Sequence, residues 1–184
     1  AREQGGVEEA SVLGHGFRAP AAEAALVNGT SGHALDFDDV SMSMRGHPSV
    51  PLVPAVLALG EKLGSSGRAV IAVFVLGFAV QCKVARLISG PHYTLGWHPT
   101  STFGTLGAAA ACARLMRLDA GPTQAALGIA ASLSSGARRN FGSMTKPLHA
   151  GWAARNGIVA ANLAARGFTA DAEVLEAPDG WLHA

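Results

Sequence analysis

Four runs in which alanine dominates, at 19–25, 108–113, 125–131 and 150–165, constrain this chain more than any other feature. Alanine gives up no side-chain entropy in a helix and is the strongest helix former. The β-branched, alternating stretches that would build strands are scarce. The expectation is an all-α fold, a bundle-like helical domain, with helices near 20–29, 50–63, 67–88, 101–117, 122–134, 150–166 and a short one at 171–176. Glycine is also enriched, at 23 of 184 residues, against an average of about 7%. Within helices it lets neighbouring backbones approach closely. Ser66 is placed to cap the long apolar helix. Gly167, after Ala164-Ala165-Arg166, reads as the glycine that ends one, with Arg166 at the negative helix end. Gly64 to Gly67, Leu118 to Pro122 and Gly136 to Thr145 read as connections, with no internal repeat and no low-complexity linker.

The totals exclude several function classes. With 14 basic and 13 acidic residues the net charge is +1, and no basic run exceeds Arg138-Arg139, so the footprint of a nucleic-acid binder is missing. Cys82 and Cys112 stand apart without paired spacings, which fits a reducing, cytoplasmic setting. Ala69 to Val80 is apolar without interruption, but Gln81, Lys83 and Arg86 follow it, and a membrane span needs roughly 20 apolar residues. The expectation there is a fully buried central helix and no membrane partner. The first residues lack the layout of a signal peptide. Both ends read as cut, with Ala1 in place of Met and no terminus pattern at Ala184.

Charge is scarce, at 15% of residues, yet three polar clusters interrupt the apolar runs. Asp36-Phe37-Asp38-Asp39 is followed by His47-Pro48-Ser49. Trp97-His98-Pro99-Thr100-Ser101-Thr102 and Thr145-Lys146-Pro147-Leu148-His149-Ala150-Gly151 come later. If 36–39 continued a helix, Asp36 and Asp39 would share a face and Asp38 would point away. These acids suit a hard cation such as Mg²⁺, or the orienting of a histidine at a proton-transfer site, or a solvated turn or cap. His98 precedes a helix whose N-terminus, with Thr100 and Ser101, is arranged to receive a carboxylate; its plain reading is a satisfied core or cap residue. Lys146, at a loop-to-helix junction, is an anion clamp or an ordinary surface lysine. The expectation is that the three clusters meet in one pocket. Gly14-His15-Gly16-Phe17-Arg18-Ala19 matches a dinucleotide fingerprint, with Asp36 about 20 residues on. Only Ser11-Val12-Leu13 precedes it and no second strand leads into Asp36, so that reading is rejected. No phosphate-binding loop and no zinc set is present.

At these clusters the chain resembles the MmgE/PrpD family, which includes 2-methylcitrate dehydratase, cis-aconitate decarboxylase and iminodisuccinate epimerase. The stretches that carry the likeness are Val27-Asn28-Gly29 through Asp39, His47-Pro48-Ser49, Gly96 through Ser101, and Thr145 through Gly151. The resemblance implies a large all-α domain of which 1–184 is part, a separate α+β lid, homodimers, no cofactor and no metal. Its implied pocket residues are Asp36, His47, His98 and Lys146. In the decarboxylase branch a threonine follows the acidic motif, and here that position is Val40. Members are more than twice this length, so helices before Ala1 and a lid after Ala184 are expected to be missing.

The implied chemistry is proton transfer on a small di- or tricarboxylate, by dehydration, decarboxylation or epimerisation. Lys146, Thr100 and Ser101 would bind carboxylate, His47 and His98 would serve as acid and base, and Asp36 would fix the tautomer of one of them. Two rivals compete. One is a Mg²⁺-dependent enzyme using Asp36, Asp38 and Asp39. The other is a non-catalytic helical dimerisation module.

Overall fold

A computed structural model describes residues 1–183, and among these the fold is helical. Six α-helices run α1 Ala21–Gly32, α2 Ser49–Leu63, α3 Gly67–Thr94, α4 Pro99–Leu115, α5 Ala120–Leu133 and α6 Thr145–Ala164. Ser66 Oγ accepts the Ala69 N–H and caps α3 as expected. Gly167 adopts φ +84° just past α6, a conformation that favours glycine.

Three boundaries shift in ways that matter for the site. Helix α1 continues to Gly32, which brings His33 onto its C-terminal end. Helix α4 starts at Pro99, a residue suited to the first helical position because its missing N–H would have no partner there. Helix α6 starts at Thr145, so Lys146 lies on its first turn and not in a preceding loop. Pro147 in that turn is tolerated for the same reason.

The expectation of a buried central helix at 69–80 is overturned. The centre is α4, where every residue but Arg114 is buried and which packs against α2, α3, α5 and α6. Helix α3 is peripheral. It buries a narrow stripe at every fourth position, Val73, Gly77, Gln81 and Ala85, and leaves Ile71 67%, Val75 58% and Leu87 68% exposed. By length and composition α3 is also apolar enough to cross a membrane. Smallness, not hydropathy, selected the central helix: alanine, glycine and threonine let four neighbours close in on α4.

Two further expectations are corrected. Ala10–Val12 and Phe17–Ala19 form a two-stranded antiparallel hairpin, β1 and β2, pairing Ala10 with Ala19 and Val12 with Phe17. Gly14 and Gly16 make its turn at positive φ, so the glycine pattern rejected as a dinucleotide site is a hairpin corner. The helix expected at 171–176 is a run of turns. Asp171 Oδ1 accepts the Glu173 N–H at 2.8 Å, a local side-chain bond that competes with helix formation.

Candidate active site

The crossing of α1 and α6 brings the clusters together. A Cβ on Gly29 would stand 2.7 Å from Gly151 Cα, and one on Gly151 would strike the Leu26 carbonyl oxygen and Thr30 Oγ1. The helices therefore touch backbone to backbone. His33 lies four residues after Gly29, and His149 and Lys146 lie shortly before Gly151, so this contact sets the end of one helix beside the start of the other. The 46–47 turn docks on α4 in the same way. A Cβ on Gly46 would lie 2.9 Å from both the amide nitrogen and Oγ1 of Thr100, and the His47 N–H donates to Thr100 Oγ1 at 3.0 Å. Gln81, wholly buried, donates to the Pro48 carbonyl at 2.7 Å and holds the same turn from α3.

Asp36, His47, Lys146 and His33 share one cluster with Asp38. Lys146 Nζ donates to Asp36 Oδ1. His47 Nε2 lies 3.4 Å from that same oxygen, and its Nδ1 lies 3.2 Å from Asp38 Oδ2 without the alignment of a hydrogen bond. His33 Nδ1 is 2.9 Å from both oxygens of Asp38, so its N–H donates there, while its buried Nε2 has no partner among the described residues. Asp36 adopts φ +55°, a left-handed conformation costly for most residues and less so for Asp. That backbone turns its carboxylate toward Lys146. The Lys146 hydrogen bond holds the Asp36 carboxyl below the usual carboxylate range.

The acidic motif is not helical, and its three acids have separate tasks. Asp38, which on a helix would point away, accepts from His33 and lies 3.2 Å from His47 Nδ1. Asp39 accepts the Ser49 N–H at 3.1 Å and the Ser49 hydroxyl at 2.8 Å, which satisfies the start of α2. With Asp39 so engaged, the Asp36, Asp38, Asp39 triad required for a Mg²⁺ site does not exist. The donor atoms that do converge, from His33, Asp36, Asp38 and His47, lie within 4.8 Å of one another. Two imidazoles and two carboxylates suit a transition ion better than Mg²⁺, and the Lys146 ammonium already holds Asp36.

His98 forms the other half of the site. It is buried, stacked 6.0 Å from His33 and edge-on to Phe141 at 4.7 Å. Its Nδ1 lies 3.0 Å from His149 Nδ1. Burial, with His149 and His33 nearby, pushes its imidazole down to about 2. His33 and His149 are also lowered, first by burial. Thr100 and Ser101 are buried, with hydroxyls engaged inside the protein: Thr100 accepts from His47, and Ser101 donates to the His149 carbonyl at 3.1 Å. The His98 carbonyl likewise accepts the Ser101 and Thr102 N–H groups. Sequence reasoning missed His33, Asp38 and His149 as members of the cluster. All three stood inside the quoted motifs, but only the true ends of α1 and α6 reveal them.

One ammonium, two carboxylates and four imidazoles are thus gathered where α1, α4 and α6 meet. Cis-aconitate decarboxylase of Homo sapiens is 36% identical over 170 residues, covering 90% of this chain and 35% of that protein. The enzyme of the same name from Mus musculus is 35% identical over the same shares. That of Aspergillus terreus is 31% identical over 172 residues, again 90% and 35%. The chain thus spans about a third of the length of the curated relatives it matches. The MmgE/PrpD N-terminal domain model matches residues 1–184, and on that match the chain belongs to the MmgE/PrpD family.

Proposed function

We propose that this chain supplies the catalytic face of a cofactor-independent enzyme that transfers protons on a small di- or tricarboxylate. The observation that carries the reading is the Asp36–Lys146 pair set against His47, beside the neutral, buried His98. Lys146 holds a substrate carboxylate by exchanging part of its contact with Asp36. Proton removal beside a carboxylate, or loss of CO₂ from such a carbon, leaves an electron pair that spreads onto carboxylate oxygens as an enolate. Fixed N–H donors in a dry site stabilise that charge. His47, between Asp36 and Asp38, moves the proton, an effect typically worth about 10²–10⁴-fold.

Decarboxylation of an unsaturated tricarboxylate is the first reaction to examine, because the relatives are named for it. Val40, where the decarboxylase branch resembled above has threonine, is a reason to examine dehydration and epimerisation beside it. A homodimer and a cytoplasmic location belong to the same proposal. A second reading, a non-catalytic dimerisation module, draws on the exposed apolar face of α3.

The test is ¹H NMR of the whole protein in D₂O with EDTA, offered cis-aconitate, 2-methylcitrate and iminodisuccinate in turn. Turnover or deuterium uptake that is lost in His47→Ala and Lys146→Ala supports the enzyme. Silence from folded protein with all three would sink it and favour the dimerisation module.

A further inference from the structure

Asp36 and Asp38 bring two carboxylates into one corner of the site, and only one fixed cation faces them there. Lys146 Nζ donates to Asp36 Oδ1. No lysine or arginine pairs with Asp38 among the described residues; its partners are His33 and His47. One negative charge is left to be met by a proton on an imidazole, or by a cation that displaces that proton.

The donor atoms have the composition and spacing of a ligand set. One atom each from His33, Asp36, Asp38 and His47 lie within 4.8 Å of one another. Zn²⁺ binds imidazole nitrogen and carboxylate oxygen at about 2.0–2.2 Å, which sets tetrahedral ligands about 3.4 Å apart. His33 Nδ1 is 2.9 Å from Asp38 Oδ1 and 4.0 Å from Asp36 Oδ1, and His47 Nε2 is 3.4 Å from that same Asp36 oxygen. These separations straddle the tetrahedral value. The His33 side chain is fully buried at the end of α1, a fixed anchor. The other three ligands lie in the non-helical stretch between α1 and α2, so they can close further without moving a helix. Two imidazoles beside two carboxylates favour Zn²⁺ and its neighbours over Mg²⁺ or Ca²⁺. The obstacle is Lys146, because an ammonium and a dication repel each other across a shared carboxylate.

We propose that His33, Asp36, Asp38 and His47 form a transition-ion site, suited to Zn²⁺, for which the ion and the Lys146 ammonium compete. Lys146 leaves Asp36 when the ion enters, and otherwise keeps the cluster free of metal. A filled site withholds Asp36 and His47 from substrate, so the ion is an inhibitor. That last clause rests on the proposed function; the binding does not.

Co²⁺ titration of the whole protein, freed of metal with EDTA and exchanged into chelator-free buffer, tests the site by visible absorption. Four-coordinate Co²⁺ gives intense bands, and Zn²⁺ should remove them. The expected result is one equivalent of Co²⁺ bound by the unsubstituted protein. Lys146→Met should bind it about tenfold more tightly, whereas Lys146→Arg, which keeps the competing charge, should not. His33→Gln and Asp38→Asn, shown by circular dichroism to be folded, should give no saturable bands. Absence of bands in both the unsubstituted protein and Lys146→Met would overturn the proposal. Bands that persist in His33→Gln would overturn it too, since the ion would then sit on other residues. Equal affinity in Lys146→Met and Lys146→Arg would remove the competition. With cis-aconitate, turnover should fall in proportion to bound Zn²⁺ and return with EDTA. Absence of turnover in the metal-free protein would end the proposed function while leaving the Co²⁺ spectra to decide the site.

Discussion

At the scale of single residues, burial depresses three imidazoles near the Asp36–Lys146 pair and a fourth, His92, that hydrogen-bonds Thr102 outside that cluster. Four histidines, at 33, 92, 98 and 149, are lowered by burial, His92 to about 4 and His98 to about 2. Between those depressed values and the ordinary imidazole value of about 6.5, the unfolded chain binds more protons than the folded one. Stability is therefore full above about pH 6.5 and falls as the pH drops, with a limiting slope of about 1.4 kcal/mol per pH unit for each such group. Melting temperatures across that range should decline on acidification, and His92→Gln should flatten the decline. Asp36 behaves differently. Its carboxyl is held low by Lys146, so the pair contributes above the ordinary carboxylate range and is lost as the pH falls through the depressed value. Lys146→Met should raise the Asp36 carboxyl toward the ordinary range, read from its ¹³C shift on titration. The three polar clusters were legible because they stand out against apolar runs, whereas the choice of Asp36, His47, His98 and Lys146 within them came from the family resemblance. Asp38 would have pointed away from Asp36 only had a helix run through 36–39. The left-handed turn at Asp36 breaks that periodicity, and no propensity scale marks it.

At the scale of elements, two backbone contacts assemble the cluster. The α1–α6 crossing has no room for a side chain at Gly151. Gly151→Val should destabilise the protein by about 1–3 kcal/mol or more, seen as a lower urea midpoint. It should also weaken the Lys146 contact with Asp36, so that activity falls further than the loss of folded protein accounts for. Helix identity was readable from alanine density, and four of the six helices, α1, α2, α4 and α5, were placed within three residues at both ends. The ends that carry chemistry were missed all the same. His33 sits where α1 overruns its alanine-rich segment, and Lys146 sits where α6 begins through a proline. Lys146 pairs with Asp36, 110 positions away, and His33 stacks on His98, also far along the chain. The ranking of α3 over α4 as the central helix failed for a related reason: hydropathy measures how much a side chain gains from leaving water, whereas α4 is central because its side chains are small enough for four neighbours.

At the scale of the whole molecule, α3 turns a row of large apolar side chains outward, Ile71, Val75 and Leu87 among them. On the homodimer proposal that row meets a second copy. Ile71→Glu with Val75→Glu should then leave the helical signal and the melting transition near their original values while halving the mass measured by light scattering. An unchanged mass would remove α3 from the interface. The ion pair at the centre of the site joins residues 110 positions apart, and the two histidines behind it are 51 apart. Contacts of that span close late, after the loop entropy of the intervening chain has been overcome. A partly folded chain can own every helix and still have no place for a substrate. On the proposed function, a chain interrupted between Asp36 and Lys146 should keep its helical circular dichroism and lose turnover, so that activity would report completed folding.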